Sequence, residues 1–552
     1  MNVQHKNAVF PRLGLLFALP LCLAITTTAA AQMTAPPAAP AASGCTLPPS
    51  ASHSDAKAPT KITPEQARQL FALVDVLIKF SSDETGLPIK SSVKRQLTSR
   101  DAVEKYLEEK FNEDEGTKRL QRDEIVLKKF GLLDHDFNLK PFLLDLLKEQ
   151  IEAYYDSKTK TVNLLDWVGP DDEQPVLAHE LTHALQDQHA DLEKWNDQNP
   201  DDVSTDDAGD LDHLAKDEMD TARDAVAEGQ ATAVMWDCVL KPMGKSLIKD
   251  PEVLELVKQQ MSGSGDSPVM ARAPLLLSES MLFPYREGLS FEQDVWMDQG
   301  QTAAFTGALD RPPTSSWEII NPRQYEKMAI PAVPLMPDIH PLLDPTYKPY
   351  DIGQVGQLDV HILSELLGGD NAARDLTPAW NGGIYWAGQS RSATTAAQQA
   401  NTASIGLFYL SVWKSADSAS VFARIYANSL ARKYTHVSQL STNTSSEDGA
   451  VEQLFTTNEG PVLITTRGKL LFIAESFPLP LAHKLTALIL DAQATGPMRM
   501  AQTPPELRTP SSAPGSQSGA LTSDLVHFFA EAGVMKSVVD AERLALQQHP
   551  AP

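Results

Sequence analysis

Three cysteines, Cys22, Cys45 and Cys238, are all that 552 residues contain, so few covalent staples are available. No stretch reaches the roughly 18 uninterrupted apolar residues that a membrane-spanning helix needs, which excludes an integral membrane protein once any leader is removed. Positive charge is scarce as well. Lys and Arg number 47 against 72 Asp and Glu, a formal charge of −25, and this excludes nucleic acid and anionic membrane surfaces as partners. There is no internal repeat, no phosphate-binding glycine loop and no serine-nucleophile motif.

What is present begins with a leader. Lys6 and Arg12 precede an apolar run from Leu13 to Ile25, and the small residues up to Ala31 offer a cleavage site. Residues 1–31 therefore read as a secretory signal peptide, and the mature chain is expected to be exported, periplasmic or secreted. Ser43-Gly44-Cys45 ends like a lipoprotein site, but Ala42 and the Pro/Ala spacer before it speak against anchoring. Cys22 leaves with the leader. Cys45 and Cys238 then form the one pair available for a disulfide in an oxidising compartment.

Composition divides the remainder. Residues 32–62 are an Ala/Pro-rich tail, 63–340 a mostly helical domain with a small β-hairpin sheet, and 350–495 a smaller α+β domain with an antiparallel sheet. The Pro-rich stretch 331–349 separates the last two. Residues 496–519 read as a Pro/Ser linker and 520–548 as a C-terminal amphipathic helix. The fold class expected is α+β.

The chemistry concentrates in Val176 to His189, VLAHELTHALQDQH. His179 and His183 are four residues apart, hence on one face of a helix, with Glu180 beside the first. Val176, Leu177, Leu181 and Leu185 supply an apolar face, and Pro175 suits a helix start. Two neutral imidazoles can bind zinc without cancelling its charge, and a zinc-bound water has its pKa lowered to about 7. Glu180 is placed to take that water's proton and pass it to a leaving amine. This is the chemistry of a zinc-dependent hydrolase of peptide bonds, acting on a peptide or protein.

A catalytic zinc usually has three protein ligands. His189 has the spacing of the third histidine of metzincins, but Gln186 stands where their helix-breaking glycine belongs. If the helix continues, His189 lies roughly 80° round from His179 and nearly three turns along, too far to bind. The rival is Glu228, in a second helical segment, residues 221–235. Ala225, Gly229 and Ala231 flank it and let that helix approach the first.

The stretch HELTHAL with a downstream helix carrying Glu228 resembles the gluzincins, the thermolysin-like zinc peptidases of zincin fold. The chain is also similar to secreted bacterial metallopeptidases with the same HELTHALQDQ helix. That resemblance implies His179, His183 and Glu228 as zinc ligands and Glu180 as the base. It also implies a partner aspartate four residues after the ligand glutamate, where this chain has Thr232. Asp187 or Asp224 is left to orient an imidazole instead.

Further expectations attach to neighbouring segments. Residues 153–165 read as a hairpin around Asp156-Ser157-Lys158, whose Thr161 to Leu165 arm is expected to be an edge strand that binds extended peptide. Tyr285, Tyr325 and His213 are the candidates to stabilise an oxyanion. The acidic stretch 191–220 lacks EF-hand spacing and reads as a solvated, mobile loop beside the site, not a calcium site. The competing reading of the whole chain is a zincin-fold binding protein with a structural or inactive metal site, which an intact Glu180 disfavours.

Overall fold

A computed structural model describes Cys45 and residues 61–541 apart from 114, 168–169, 197, 199–202, 204, 248–250, 262–266, 446–447, 499–520 and 534. The signal peptide, nearly all of the Ala/Pro tail and the Pro/Ser linker lie outside the described residues. The fold is α+β, as expected.

The first helix, Pro64–Thr85, shows how local chemistry sets its limits. Thr63 and Gln66 cap each other's backbone N–H groups, Pro64 fills the first turn, and Gly86 ends the helix in the left-handed conformation. Two helices behind it form the centre of the molecule. The first, Pro170–Ala190, carries HELTH, and every side chain described from Glu173 to Asp187 is buried. The second, Met219–Leu240, carries Glu228 and is buried at every position from Asp220 onward. Pro175 lies inside the first helix instead of starting it. The helix begins five residues earlier, at Pro170.

A long helix, Leu275–Gln299, crosses the glutamate helix so closely that their backbones touch. A Cβ added at Gly288 would overlap the carbonyl of Ala225, and one at Gly229 would overlap the backbone of Gly288. Two of the small residues expected to bring the glutamate helix against the HELTH helix, Ala225 and Gly229, therefore meet a different neighbour.

A three-stranded sheet flanks the HELTH helix: β1 (Lys94–Thr98), β2 (Tyr154–Asp156) and β3 (Thr161–Leu165), in the order β1-β3-β2. β3 pairs parallel with β1 and antiparallel with β2. The expected edge strand, Thr161–Leu165, is thus the central strand, its hydrogen-bonding groups already taken on both sides. β2 is an edge.

The larger sheet holds β4 (Tyr347–Gln354), β5 (Trp380–Ser390), β6 (Ile405–Trp413), β7 (Val437–Thr444), β8 (Val451–Thr457), β9 (Gly460–Arg467) and β10 (Leu470–Glu475), antiparallel throughout in the order β4-β5-β6-β10-β9-β8-β7. Alternation along β6 sends Leu407 and Tyr409 into the core shared with the HELTH and glutamate helices. Phe408 and Leu410 face a second core with the helix Leu479–Ala492.

Two further expectations are corrected. The acidic stretch 191–220 includes a helix, Asp207–Lys216, capped by the Asp206 side chain, and Asp210 and Asp217 in that stretch are buried. The C-terminal helix is shorter than 520–548. Ser523–Ala530 is helical, the chain turns at Gly533 with φ +101°, and a new helical turn follows at residues 536–541. Cys45 and Cys238 are disulfide-bonded, with Cα atoms 5.3 Å apart.

Because Gly288 has backbone and no flexible side chain in its way, Gly288→Ala is expected to destabilise the protein by about 1–3 kcal/mol or more, the usual cost of overpacking. Urea unfolding checks this, and wild-type stability in the variant would contradict the close crossing.

Candidate metal centre

The HELTH and glutamate helices bring three donors together. Glu228 Oε2 lies 3.1 Å from His179 Nε2, Glu228 Oε1 3.4 Å from His183 Nε2, and the two Nε2 atoms are 3.0 Å apart. His179, His183 and Glu228 are all buried, and this group could hold a metal ion. Among the described residues no other group of three such side chains converges in this way.

Gln186, in the position of the metzincin glycine, fixes the geometry. Its Oε1 accepts a hydrogen bond from His183 Nδ1 at 2.9 Å, which leaves the Nε2 lone pair directed at the site. Its Nε2 donates to the Ala227 carbonyl and to Gln230 Oε1, each at 2.9 Å. Gln230 in turn donates to the carbonyls of Ala304 and Phe305. One side chain orients a ligand and staples the two helices together. Sequence reading missed it, although its place three residues after His183 puts both on one helix face.

Protons and a cation compete for these donors. Burial raises the carboxyl of Glu228, but the neighbouring His183 and His179 outweigh it and bring the pKa down to about 2. Burial lowers His183, but Glu228 outweighs it and lifts the pKa to about 9. At neutral pH a proton therefore sits on His183 until a cation displaces it, so binding releases the proton and weakens as pH falls.

Two of the three donors, His183 and Glu228, face a cavity of about 470 Å³. His183, Glu228 and Glu180 line it from the two helices, Tyr155 and Lys158 from the β2 hairpin, and Glu531 from the C-terminal segment. Glu180 thus shares a cavity with His183 and Glu228, while His179 lies fully buried behind them.

The remaining candidates are held by other partners, although Asp224 and Tyr285 lie beside the triad. His189 pairs with Asp310 at 2.8 Å, away from the triad, because the helix runs on unbroken past Gln186. Asp187 accepts hydrogen bonds from the Tyr155 hydroxyl (2.7 Å), Lys160 (2.8 Å) and the Leu192 backbone (3.1 Å), and so ties the hairpin to the helix instead of orienting a ligand. Asp224 lines the cavity but pairs with His527 at 3.0 Å and accepts from Asn196 at 3.2 Å. Thr232 is buried, and its hydroxyl has no hydrogen-bond partner among the described residues. Gln186 orients His183, while His179 Nδ1 is buried with no hydrogen-bond partner among the described residues.

Tyr285 lies against His179, ring centroids 6.2 Å apart, but its hydroxyl donates to the Gly533 carbonyl at 3.2 Å and does not line the cavity. Burial, with Glu228 nearby, holds that hydroxyl well above its ordinary pKa, so it stays protonated. Tyr325 donates to the Arg311 carbonyl at 2.8 Å beneath the Arg311 guanidinium. His213 pairs with Asp217 at 3.4 Å, in the region where Asp217 meets β4. None of the three lines the cavity. Glu531, which lines the cavity, and His527, which pairs with the cavity-lining Asp224, are marked by no sequence spacing, because they arrive from about 300 residues downstream of Glu228.

No family model matches this chain, and no curated protein or solved structure matches it.

Replacing Gln186 by Leu keeps the volume and removes the partner of His183 Nδ1. Metal affinity is expected to fall about 10–100-fold, read by competition with a chromophoric chelator. Unchanged affinity would remove Gln186 from the site. Calorimetry at neutral pH in buffers of different ionisation enthalpy should show about one proton released per ion bound. No release would contradict the assignment of a proton to His183.

Proposed function

We propose that the protein is an exported zinc-dependent peptidase, with His179, His183 and Glu228 as zinc ligands and Glu180 as general base. The observation that carries this reading is a three-donor cluster that meets, through His183 and Glu228, a cavity that Glu180 also lines. Ligands about 2.0–2.1 Å from a tetrahedral zinc stand about 3.4 Å apart, close to the 3.0, 3.1 and 3.4 Å found here. Two imidazoles and one carboxylate are a zinc donor set, and three protein ligands with one open side distinguish a catalytic centre from a closed structural one. That openness weighs against the binding-protein reading.

When bound, zinc supplies Lewis acidity toward a carbonyl and toward water. The chain does the rest. Gln186 holds His183 in the tautomer that presents Nε2. Glu180, fully buried and beside the ligands, accepts a proton from the attacking water and returns it to the leaving nitrogen. The buried surroundings strengthen each of these interactions relative to water. The export reading of residues 1–31 gains support from the Cys45–Cys238 disulfide, a bond that persists in oxidising compartments.

Glu180→Gln removes the base and leaves the three ligands. It is expected to bind zinc as the wild type does and to lose peptide hydrolysis by at least about 100-fold. Hydrolysis at the wild-type rate by the zinc-loaded variant would overturn the mechanism.

A further inference from the structure

One wall of the metal cavity comes from the far end of the chain. Leu525, Val526, Phe529, Met535 and Val538 are buried, and the helix Ser523–Ala530 packs on both the glutamate helix and the long helix. His527 Nδ1 is 3.0 Å from Asp224 Oδ2, one turn before Glu228, and the Gly533 carbonyl accepts from the Tyr285 hydroxyl. The segment is therefore fastened on both sides of the triad, and Ala530, Glu531 and Gly533 line the cavity.

Where it runs matters most. β2 is the edge of its sheet, and the backbone just before it, Ile151, forms an antiparallel bridge with Met535. Gly533 presses against Ala153 and Tyr154 so tightly that a Cβ would overlap the Ala153 carbonyl, and its φ of +101° is open only to glycine. Residues 151–154 are thus covered by the chain's own C-terminal segment. Of that edge the cavity is lined by Tyr155 and Asp156, followed by the turn residues Ser157 and Lys158.

We propose that the segment carrying Ala530, Glu531, Gly533 and Met535 acts as a fixed stop, so that the cleft takes a peptide end or a short peptide and refuses bonds in the interior of a long chain. This rests on the peptidase reading and adds a substrate class to it. An extended peptide added to the β2 edge can continue in one direction only, because in the other it meets Gly533 and Met535. A volume of about 470 Å³ suits a few residues of peptide, in the range of small-ligand sites, and not a groove that an extended protein crosses. The stop is rigid because its apolar residues form part of the core.

The test uses the full mature chain loaded with zinc. In Glu180→Gln, fluorescence anisotropy compares a short free peptide that the wild type cleaves with the same sequence embedded between two folded domains. The free peptide is expected to bind at least about tenfold tighter. Equal binding overturns the stop. In the wild type, mass spectrometry of products from a long unstructured peptide should place every cut near an end, with the head-to-tail cyclised form left intact. Cuts through the interior, or cleavage of the cyclic form, overturn the stop and leave the peptidase reading standing. If the zinc-loaded wild type cleaves no peptide of any length, the peptidase reading falls and the stop falls with it.

Discussion

Two imidazoles and a carboxylate held within 3.4 Å of one another in a buried place are the constraint on which the rest of the structure depends. Away from water, charges that do not balance are expensive, and like-facing donor atoms are driven apart. The cluster stays together because its positive charge, proton or cation, sits among the three and because both helices are immobilised. Gln186 bridges them by two hydrogen bonds, and the Gly229–Gly288 crossing clamps the glutamate helix from behind. The Ser81 hydroxyl donates to the Ala178 carbonyl, fixing the HELTH helix from its other side.

The surroundings then shape what the centre can meet. Asp187 joins the HELTH helix to Tyr155 and Lys160, so the β2 hairpin is positioned by the same helix that supplies the histidines. Asp224 joins the glutamate helix to His527, so the C-terminal segment is positioned by the helix that supplies the carboxylate. Each ligand-bearing helix thus carries one wall of the cavity. Burial raises the Asp224 carboxyl while His527 opposes it, and the pairing keeps a fully enclosed acid from standing alone.

Much of this was legible in the sequence. HELTH, the continuous helix that excludes His189, the helix around Glu228 and the antiparallel sheet of the second half follow from periodicity. What the sequence hid has physical reasons. The HELTH and glutamate helices are buried all round, so no polar face marks which side Ala225 and Gly229 serve. β7 is an exposed edge strand of polar residues. β4 opens within a Pro-rich stretch that reads as a boundary, yet it is the other edge of the sheet, where Pro349 is tolerated. The hairpin was visible but its pairing was not, because β1, which turns β3 into a central strand, joins from some 65 residues upstream. Ala530, Glu531 and Gly533 reach the cavity only through tertiary folding.

The assignment of His179, His183 and Glu228 as the metal ligands is tested most directly by elemental analysis of the purified mature protein beside its Glu228→Ala and His189→Ala variants. About one zinc per chain in the parent and in His189→Ala, with loss in Glu228→Ala, is the predicted pattern. Zinc retained in full by Glu228→Ala and lost by His189→Ala would contradict it.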